Sequence, residues 1–162
     1  MSRAGRLDRM SNKALSRVLE LVDALSLVAM AVVATQVVPE AEAAGTVPQE
    51  ATIAFAIGCV PLVYVAVVAW RLFASIGRGE TFVRENASRL RRMGAASAAS
   101  AAVWAACNVL CVVAGGGSVG LSSYSVLSVA LIFCVALCIV CVALALLTGR
   151  AADIKDENDM TV

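Results

Sequence analysis

Four long apolar stretches constrain this chain more than any other feature of its sequence. They cover residues 18–38, 51–70, 95–114 and 124–148. A helix needs about 20 mostly apolar residues to cross the hydrocarbon core of a bilayer, and each stretch meets that length. Hydrophobic residues make up 60% of the chain and charged residues 15%, against roughly 25% charged in soluble domains. The sequence therefore predicts an all-α integral membrane four-helix bundle without a separate soluble domain.

The distribution of positive charge predicts the orientation of this bundle. All 13 Lys and Arg lie in residues 1–17, in the connection over residues 71–94, or in the tail. Lys and Arg that flank a span are retained on the cytoplasmic side, so both termini are expected to be cytoplasmic. The expected organisation is a basic N-terminal arm over residues 1–17, a membrane domain over residues 18–148 and an acidic tail over residues 149–162. The expected location is the bacterial cytoplasmic membrane.

One alternative for the beginning of the chain stays open. A basic segment, an apolar run and the small residues at 41–44 together resemble a secretory signal with its cleavage site. The apolar run is about 21 residues long, whereas a signal core has roughly 7 to 15. Retention of the first span is therefore the favoured interpretation.

The middle spans differ in character. Proline removes a helical hydrogen bond, so Pro61, close to Gly58, predicts a kink in the second span. Small side chains let helices approach closely within a membrane, and the third span is therefore predicted to be central. Its small-residue face would serve packing within the chain or a homo-oligomer, and the spacing does not separate the two. Small residues recur there at every fourth position, at Gly94, Ala98, Ala102 and Ala106.

The cysteines all fall inside the predicted spans. Clustered thiolates bind Cu(I), and Cys138 and Cys141 have the spacing of redox motifs, so a metal or redox role is an alternative. A thiol in hydrocarbon forms little of the reactive thiolate, and packing is the favoured role. The chain has no His and no arrangement typical of an active site. We therefore expect no metal, no cofactor and no enzymatic activity. The six cysteines are Cys59, Cys107, Cys111, Cys134, Cys138 and Cys141.

Two acidic residues, Glu20 and Asp23, lie in the first span. Ionisable groups inside a membrane are costly and suggest function by default. Glu20 is spaced to pair with Arg17, and Asp23 is placed to meet Arg71 or Arg92 from neighbouring helices. A polar clamp between helices is the favoured role. The alternative is a proton or cation site in a small ion-coupled transporter.

The connection after the second span carries the most specific pattern. Gly77 and Gly79 are expected to end one helix, and Thr81 to cap the next, which runs into the third span. That helix, near residues 80–94, is predicted to be amphipathic and to lie at the membrane boundary or under the bundle. Glu85 and Arg89 are spaced as an i, i+4 ion pair. The apolar face includes Phe82, Asn86, Leu90 and Met93.

Asn86 is the unusual member of that face. If its amide is buried, it needs hydrogen-bond partners. Capping a helix end, or holding the connection against the tail, would supply them.

This stretch resembles a family of bacterial four-span proteins catalogued as domain of unknown function 2975. The resemblance rests on the pattern Gly79-x-x-Phe82-x-x-x-Asn86-x-x-x-Leu90-x-x-x-Gly94, on the acidic ending Glu157-Asn158-Asp159-Met160-Thr161-Val162, and on the spacing of the spans. Members resemble small membrane proteins without known enzymatic activity that are often encoded beside a helix-turn-helix transcription regulator. The resemblance therefore implies a membrane scaffold or regulator that binds such a cytoplasmic partner, with no direct contact to nucleic acid.

Two parts of the chain are the predicted partner-binding surface. The tail, from residue 150 onward, could fold back on the basic connection or offer its acids to a basic partner. A solvated, disordered terminus is the simpler alternative. The predicted partner-binding residues are Gly79, Phe82, Asn86, Leu90, Arg91, Arg92, Asp159 and Thr161.

Overall fold

The computed structural model describes residues 3–44, 49–81, 83–114 and 121–160. All the regular structure in these residues is helical, which confirms the all-α prediction. The described helices are α1 (Arg3–Val32), α2 (Val38–Ala43), α3 (Gln49–Gly77), α4 (Arg84–Ala114) and α5 (Leu121–Met160), with a π-helical turn at Val33–Val37 between α1 and α2.

Three helical segments in the described part of the chain are long and apolar enough to cross a membrane. They are Asn12–Glu40, Phe55–Gly77 and Ser128–Lys155, and they correspond to the first, second and fourth predicted spans. The described part of α4 contains no such segment. The chain is thus a helical protein with the apolar helices of a membrane protein.

Helix α4 lies at the centre of the bundle, as its small side chains predicted. It packs against both α3 and α5, and α1 packs on α3. A side chain at Gly94 would place its Cβ 3.2 Å from Val142 Cγ2 on α5, so this glycine permits a close approach. The rest of the predicted stripe at Ala98, Ala102 and Ala106 is exposed. The buried face of α4 instead runs through Ser97 and Ser100, both fully buried.

The described side chains form two apolar clusters. One joins α3, α4 and α5 near the α3–α4 connection, and Leu90, Met93 and Cys141 belong to it. The other surrounds Trp104, whose ring meets that of Phe55 edge-on at 5.5 Å between centroids. Cys107 and Cys134 are buried in this second cluster.

Each proline in these helices is accommodated without a break. α3 runs uninterrupted through Pro61, and the Ser100 hydroxyl donates to the main-chain oxygen of Gly58 at 2.7 Å. The π-helical turn ends at Val37, two residues before Pro39, and Val38 N–H donates to the oxygen of Val33. This wider turn adjusts the helix where proline offers no N–H.

The predicted N-terminal arm and acidic tail are not separate from the spans. α1 begins at Arg3 and continues into the first span, and α5 continues from the fourth span to Met160. The part of α5 after residue 148 extends about 18 Å at 1.5 Å per residue. The tail is therefore a helical extension rather than a disordered terminus up to Met160.

Candidate functional site

The Lys and Arg residues of the described helices belong to the segments that meet at one end of the bundle. At this end of the bundle α1 and α4 begin, and α3 and α5 end. We call it the charged end. Three side-chain contacts join these helix ends to each other. They are Ser16 with Phe73 O, Arg89 with Arg71 O, and Arg84 with Asp153.

A specific turn ends α3 at this end. Gly79 has a φ of 84°, a left-handed conformation that glycine adopts without steric cost. Gly79 N–H donates to Ile76 O at 2.9 Å, and Glu80 N–H donates to Ser75 O at 3.1 Å. These are the two bonds of a Schellman motif, which satisfies the last carbonyls of a helix. The sequence prediction that Gly79 helps to end this helix is confirmed.

Asn86 holds the turn from the first turn of α4. Its side chain is 1% exposed, and Nδ2 donates to Glu80 O at 2.7 Å and to Thr81 O at 3.2 Å. Its Oδ1 accepts from Arg89 Nη1 at 3.1 Å. The amide therefore has the partners that burial requires. It holds the connection itself rather than linking the connection to the tail.

Arg89 connects this amide to α3. Besides Asn86, its Nη1 donates to Arg71 O at 3.3 Å, and its Nη2 forms the predicted i, i+4 ion pair with Glu85. A guanidinium can make several such bonds because its donors form a rigid fork. Ser75 adds a further bond, donating from its hydroxyl to Glu80 O at 3.2 Å. The α3–α4 connection is thus fixed by side chains from both helices.

The beginning of α1 packs closely on the end of α3. The hydroxyl of Ser16 donates to Phe73 O at 2.8 Å and lies 2.9 Å from Glu20 Oε1. A Cβ at Gly77 would lie 2.8 Å from Ser16 Oγ. Gly77 is therefore needed for the close approach of the two helices, in addition to its place at the end of α3.

The end of α5 lies beside the beginning of α4. Arg84 pairs with Asp153 at 3.2 Å on the surface. Beneath this pair, Ala145 and Ala152 are buried, and Gly149 lies opposite Ala87. The acidic extension of α5 thus contacts the basic beginning of α4, as one interpretation of the tail predicted.

The structure divides the predicted partner-binding residues between core and surface. Asn86 and Leu90 are buried, whereas Gly79, Arg91 and Arg92 are exposed. Burial makes Asn86 and Leu90 part of the scaffold rather than a contact surface. Phe82 and Thr161 lie outside the described residues, as does the side chain of Asp159.

The helix predicted near residues 80–94 runs into the third span, as expected. It is the beginning of α4, which starts at Arg84 and continues to Ala114. The prediction that Thr81 caps it is wrong, because Val83 O accepts the first helical bonds, from Asn86 and Ala87. The face carrying Leu90 and Met93 packs against α3 and α5. This apolar face is therefore covered by neighbouring helices and does not lie at the membrane boundary.

The two acids of α1 have different surroundings. Glu20 Oε1 lies 2.9 Å from the Ser16 hydroxyl, and Glu20 makes no ion pair with Arg17. Asp23 forms no ion pair with Arg71 or Arg92, and its Oδ2 is occluded from solvent without a hydrogen-bond partner among the described residues. Glu20 therefore belongs to the α1–α3 contact, and Asp23 is left as an unpaired carboxyl.

The cysteines with described side chains form no disulfide with one another. Cys107, Cys134 and Cys141 are buried in the apolar clusters. No group of three metal-ligating side chains occurs among the described residues, and the side chain of Cys111 is not among them.

No sequence pattern predicted a role for Ser16, Ser75 or Ser100. Each is buried, with its hydroxyl bonded to a main-chain oxygen. Ser16 and Ser100 bond a neighbouring helix, whereas Ser75 bonds the turn that follows its own helix. Ser16 lies two helical turns before Asp23 on the same helical face. That periodicity was the available signal for Ser16, while nothing in the sequence marked the other two.

Comparison with known proteins identifies one family. A family model described as "Protein of unknown function (DUF2975)" matches residues 28–162. No curated protein and no solved structure matches the chain.

Proposed function

Because the chain belongs to the DUF2975 family, whose function is unknown, we propose a function from its own geometry. The protein is a non-enzymatic, multi-pass scaffold or regulator of the bacterial cytoplasmic membrane, and its charged end binds a cytoplasmic protein. The observation that carries this proposal is the network of hydrogen bonds that joins the helices at the charged end. It joins Ser16, Asn86 and Arg89 to main-chain oxygens of the α3 end and the connection, and α5 extends beyond its apolar part.

The orientation follows from charge. Every Lys and Arg of the chain lies in a segment that belongs to the charged end. Cations beside a span stay on the cytoplasmic side, so we assign the charged end and both termini to the cytoplasm, with four spans including α4. Labelling with a membrane-impermeant reagent tests this. Cysteines introduced at residues 2 and 162 should react only after the inner membrane is permeabilised.

The contact surface is the exposed side of the beginning of α4. Arg91 and Arg92 are exposed there and make no ion pair among the described residues, so their guanidinium groups are available to acidic residues of a partner. Gly79 exposes the adjacent turn. The rigid Asn86 and Arg89 network behind this surface fixes its shape, which lowers the entropy lost on binding. A helix-turn-helix regulator is the partner that the family resemblance implies.

A binding measurement with matched variants tests the proposal. The detergent-solubilised full chain is immobilised and titrated with the regulator encoded beside its gene. Arg91→Gln with Arg92→Gln should weaken binding at least about tenfold, since hydrogen bonds to charged groups contribute roughly 1.5–3 kcal/mol each. Arg17→Gln with Lys155→Gln removes the same charge from α1 and α5 and should leave binding unchanged. Absence of binding by the wild-type chain, or equal loss in both double variants, would refute the proposal.

A second candidate function rests on Asp23. A carboxyl in a spanning helix with an occluded, unpartnered oxygen is suited to a proton or cation site in a small ion-coupled transporter. In vesicles containing a pH-sensitive dye, Asp23→Asn should then abolish proton flux. Glu20→Gln should retain proton flux, because Glu20 Oε1 lies 2.9 Å from the Ser16 hydroxyl and belongs to the contact between α1 and α3. Wild-type vesicles that show no flux above protein-free vesicles would exclude this candidate.

A further inference from the structure

We propose that the groove between α1 and α3 binds one anionic phospholipid, with an acyl chain in the groove and the phosphate on Arg71. The groove has a volume of about 220 Å³. Leu27 of α1 forms one wall, and α3 supplies the other through Ala66, Val67, Trp70 and Arg71. The proposal rests on the proposed function only in requiring that these helices cross a membrane.

The walls of the groove suit an acyl chain. Four of the five lining residues are apolar or aromatic, and Val67 and Trp70 are each about half exposed, at 49% and 47%. The groove therefore opens on the outer surface of the bundle rather than into its core. In a spanning protein that surface meets lipid, and Trp is typical of the depth where acyl chains meet headgroups.

The charge at one end of the groove selects the headgroup. The Arg71 side chain is exposed and has no ion-pair partner in the described part of the chain. Its main-chain oxygen accepts from Arg89 Nη1 at 3.3 Å, which anchors the backbone that carries it. A guanidinium binds phosphate through two parallel hydrogen bonds. The groove thus offers an apolar wall ending in a cation, which complements an anionic amphiphile.

The neighbouring charges agree with this assignment. Arg17 is exposed on α1 at about the height of Arg71, because the adjacent Ser16 contacts Phe73 O. The acids Glu20 and Asp23 of α1 are not among the residues that line the groove. An anionic headgroup is therefore favoured over a zwitterionic one.

Quenching of Trp70 by brominated lipids tests the proposal. The chain has two tryptophans, and Trp104→Phe leaves Trp70 as the sole emitter. The variant is reconstituted in bilayers that mix phosphatidylcholine with brominated phosphatidylglycerol, or the reverse. We expect about a fivefold preference for phosphatidylglycerol, corresponding to roughly 1 kcal/mol per cation near an anionic surface. Arg71→Gln should reduce this preference to about one, whereas Arg91→Gln on α4 should leave it unchanged.

A second measurement avoids the Trp104 substitution. Native mass spectrometry of the otherwise unmodified chain, extracted from mixed vesicles, should show one retained phosphatidylglycerol that Arg71→Gln loses and Arg91→Gln keeps. Equal quenching by the two lipids, or loss of the preference in Arg91→Gln instead, would overturn the proposal. Both assays contain no partner protein, so their failure is distinct from a failure of the proposed function.

Discussion

Replacing Asn86 with Ala should destabilise the bundle by about 2–4 kcal/mol. The change removes two bonds from Nδ2, to Glu80 O and Thr81 O, and one bond that Oδ1 accepts from Arg89. A neutral hydrogen bond contributes about 1 kcal/mol net, and a bond to a charged group roughly 1.5–3 kcal/mol. The sum is reduced because Ser75 still donates to Glu80 O, and Arg89 keeps its bond to Arg71 O.

Denaturation of the purified protein in mixed micelles, followed by helical circular dichroism, measures this free energy of unfolding. Asn86→Asp tests the donor bonds of the amide separately from its acceptor bond. It keeps an acceptor for Arg89 but replaces the donor with an oxygen facing two main-chain oxygens, so it should cost at least as much as Asn86→Ala. Ser88→Ala is the matched control, since Ser88 is exposed two residues away on α4 and should change stability by less than about 0.5 kcal/mol.

Two results would refute this reasoning. A free energy of unfolding for Asn86→Ala within about 0.5 kcal/mol of the wild type would mean that the buried amide does not hold the connection. Wild-type stability of Asn86→Asp would mean that the two donor bonds from Nδ2 contribute nothing.

Three further predictions concern glycines and a surface pair. Gly79→Ala should lower the free energy of unfolding by about 1–2 kcal/mol. The loss comes from backbone strain alone, because the turn holds a φ of 84° and a Cβ there meets no atom within 4 Å. Denaturation in micelles measures this loss. Gly58→Ala should cost about 1–3 kcal/mol and shift Trp104 fluorescence, since the new Cβ would lie 2.9 Å from two ring atoms. Asp153→Asn should cost less than about 1 kcal/mol, because the pair with Arg84 is exposed; a larger loss in the same denaturation assay would contradict it.

Much of the charged end was predictable from local sequence. Gly79 was expected to end a helix, since a glycine between two apolar helical stretches is typical of a helix C-terminus. The pair of Glu85 and Arg89 followed from i, i+4 spacing, which holds on any helix. The need of Asn86 for partners followed from its place on an apolar face.

The partners themselves were not predictable. Thr81 was the better cap by residue type, yet α4 begins only at Arg84. The side chain of Asn86 already bonds the oxygens of Glu80 and Thr81, so the connection is held from within the helix. Which residue satisfies a turn depends on where the adjoining helices pack, and propensity does not contain that information.

The sequence by itself determined that the chain forms long apolar helices and that its cations cluster at segments which meet at one end. Hydropathy and charge depend on composition along the chain, so they need no knowledge of neighbours. Only the tertiary structure decided which face of each helix is buried. Along α4 most side chains are small or apolar, so their periodicity is weak; Ser97 and Ser100 became core while Ala98 and Ala102 stayed exposed. The physical reason is that burial follows the packing of α4 between α3 and α5. Hydrophobicity varies too little around this helix to determine which of its faces is buried.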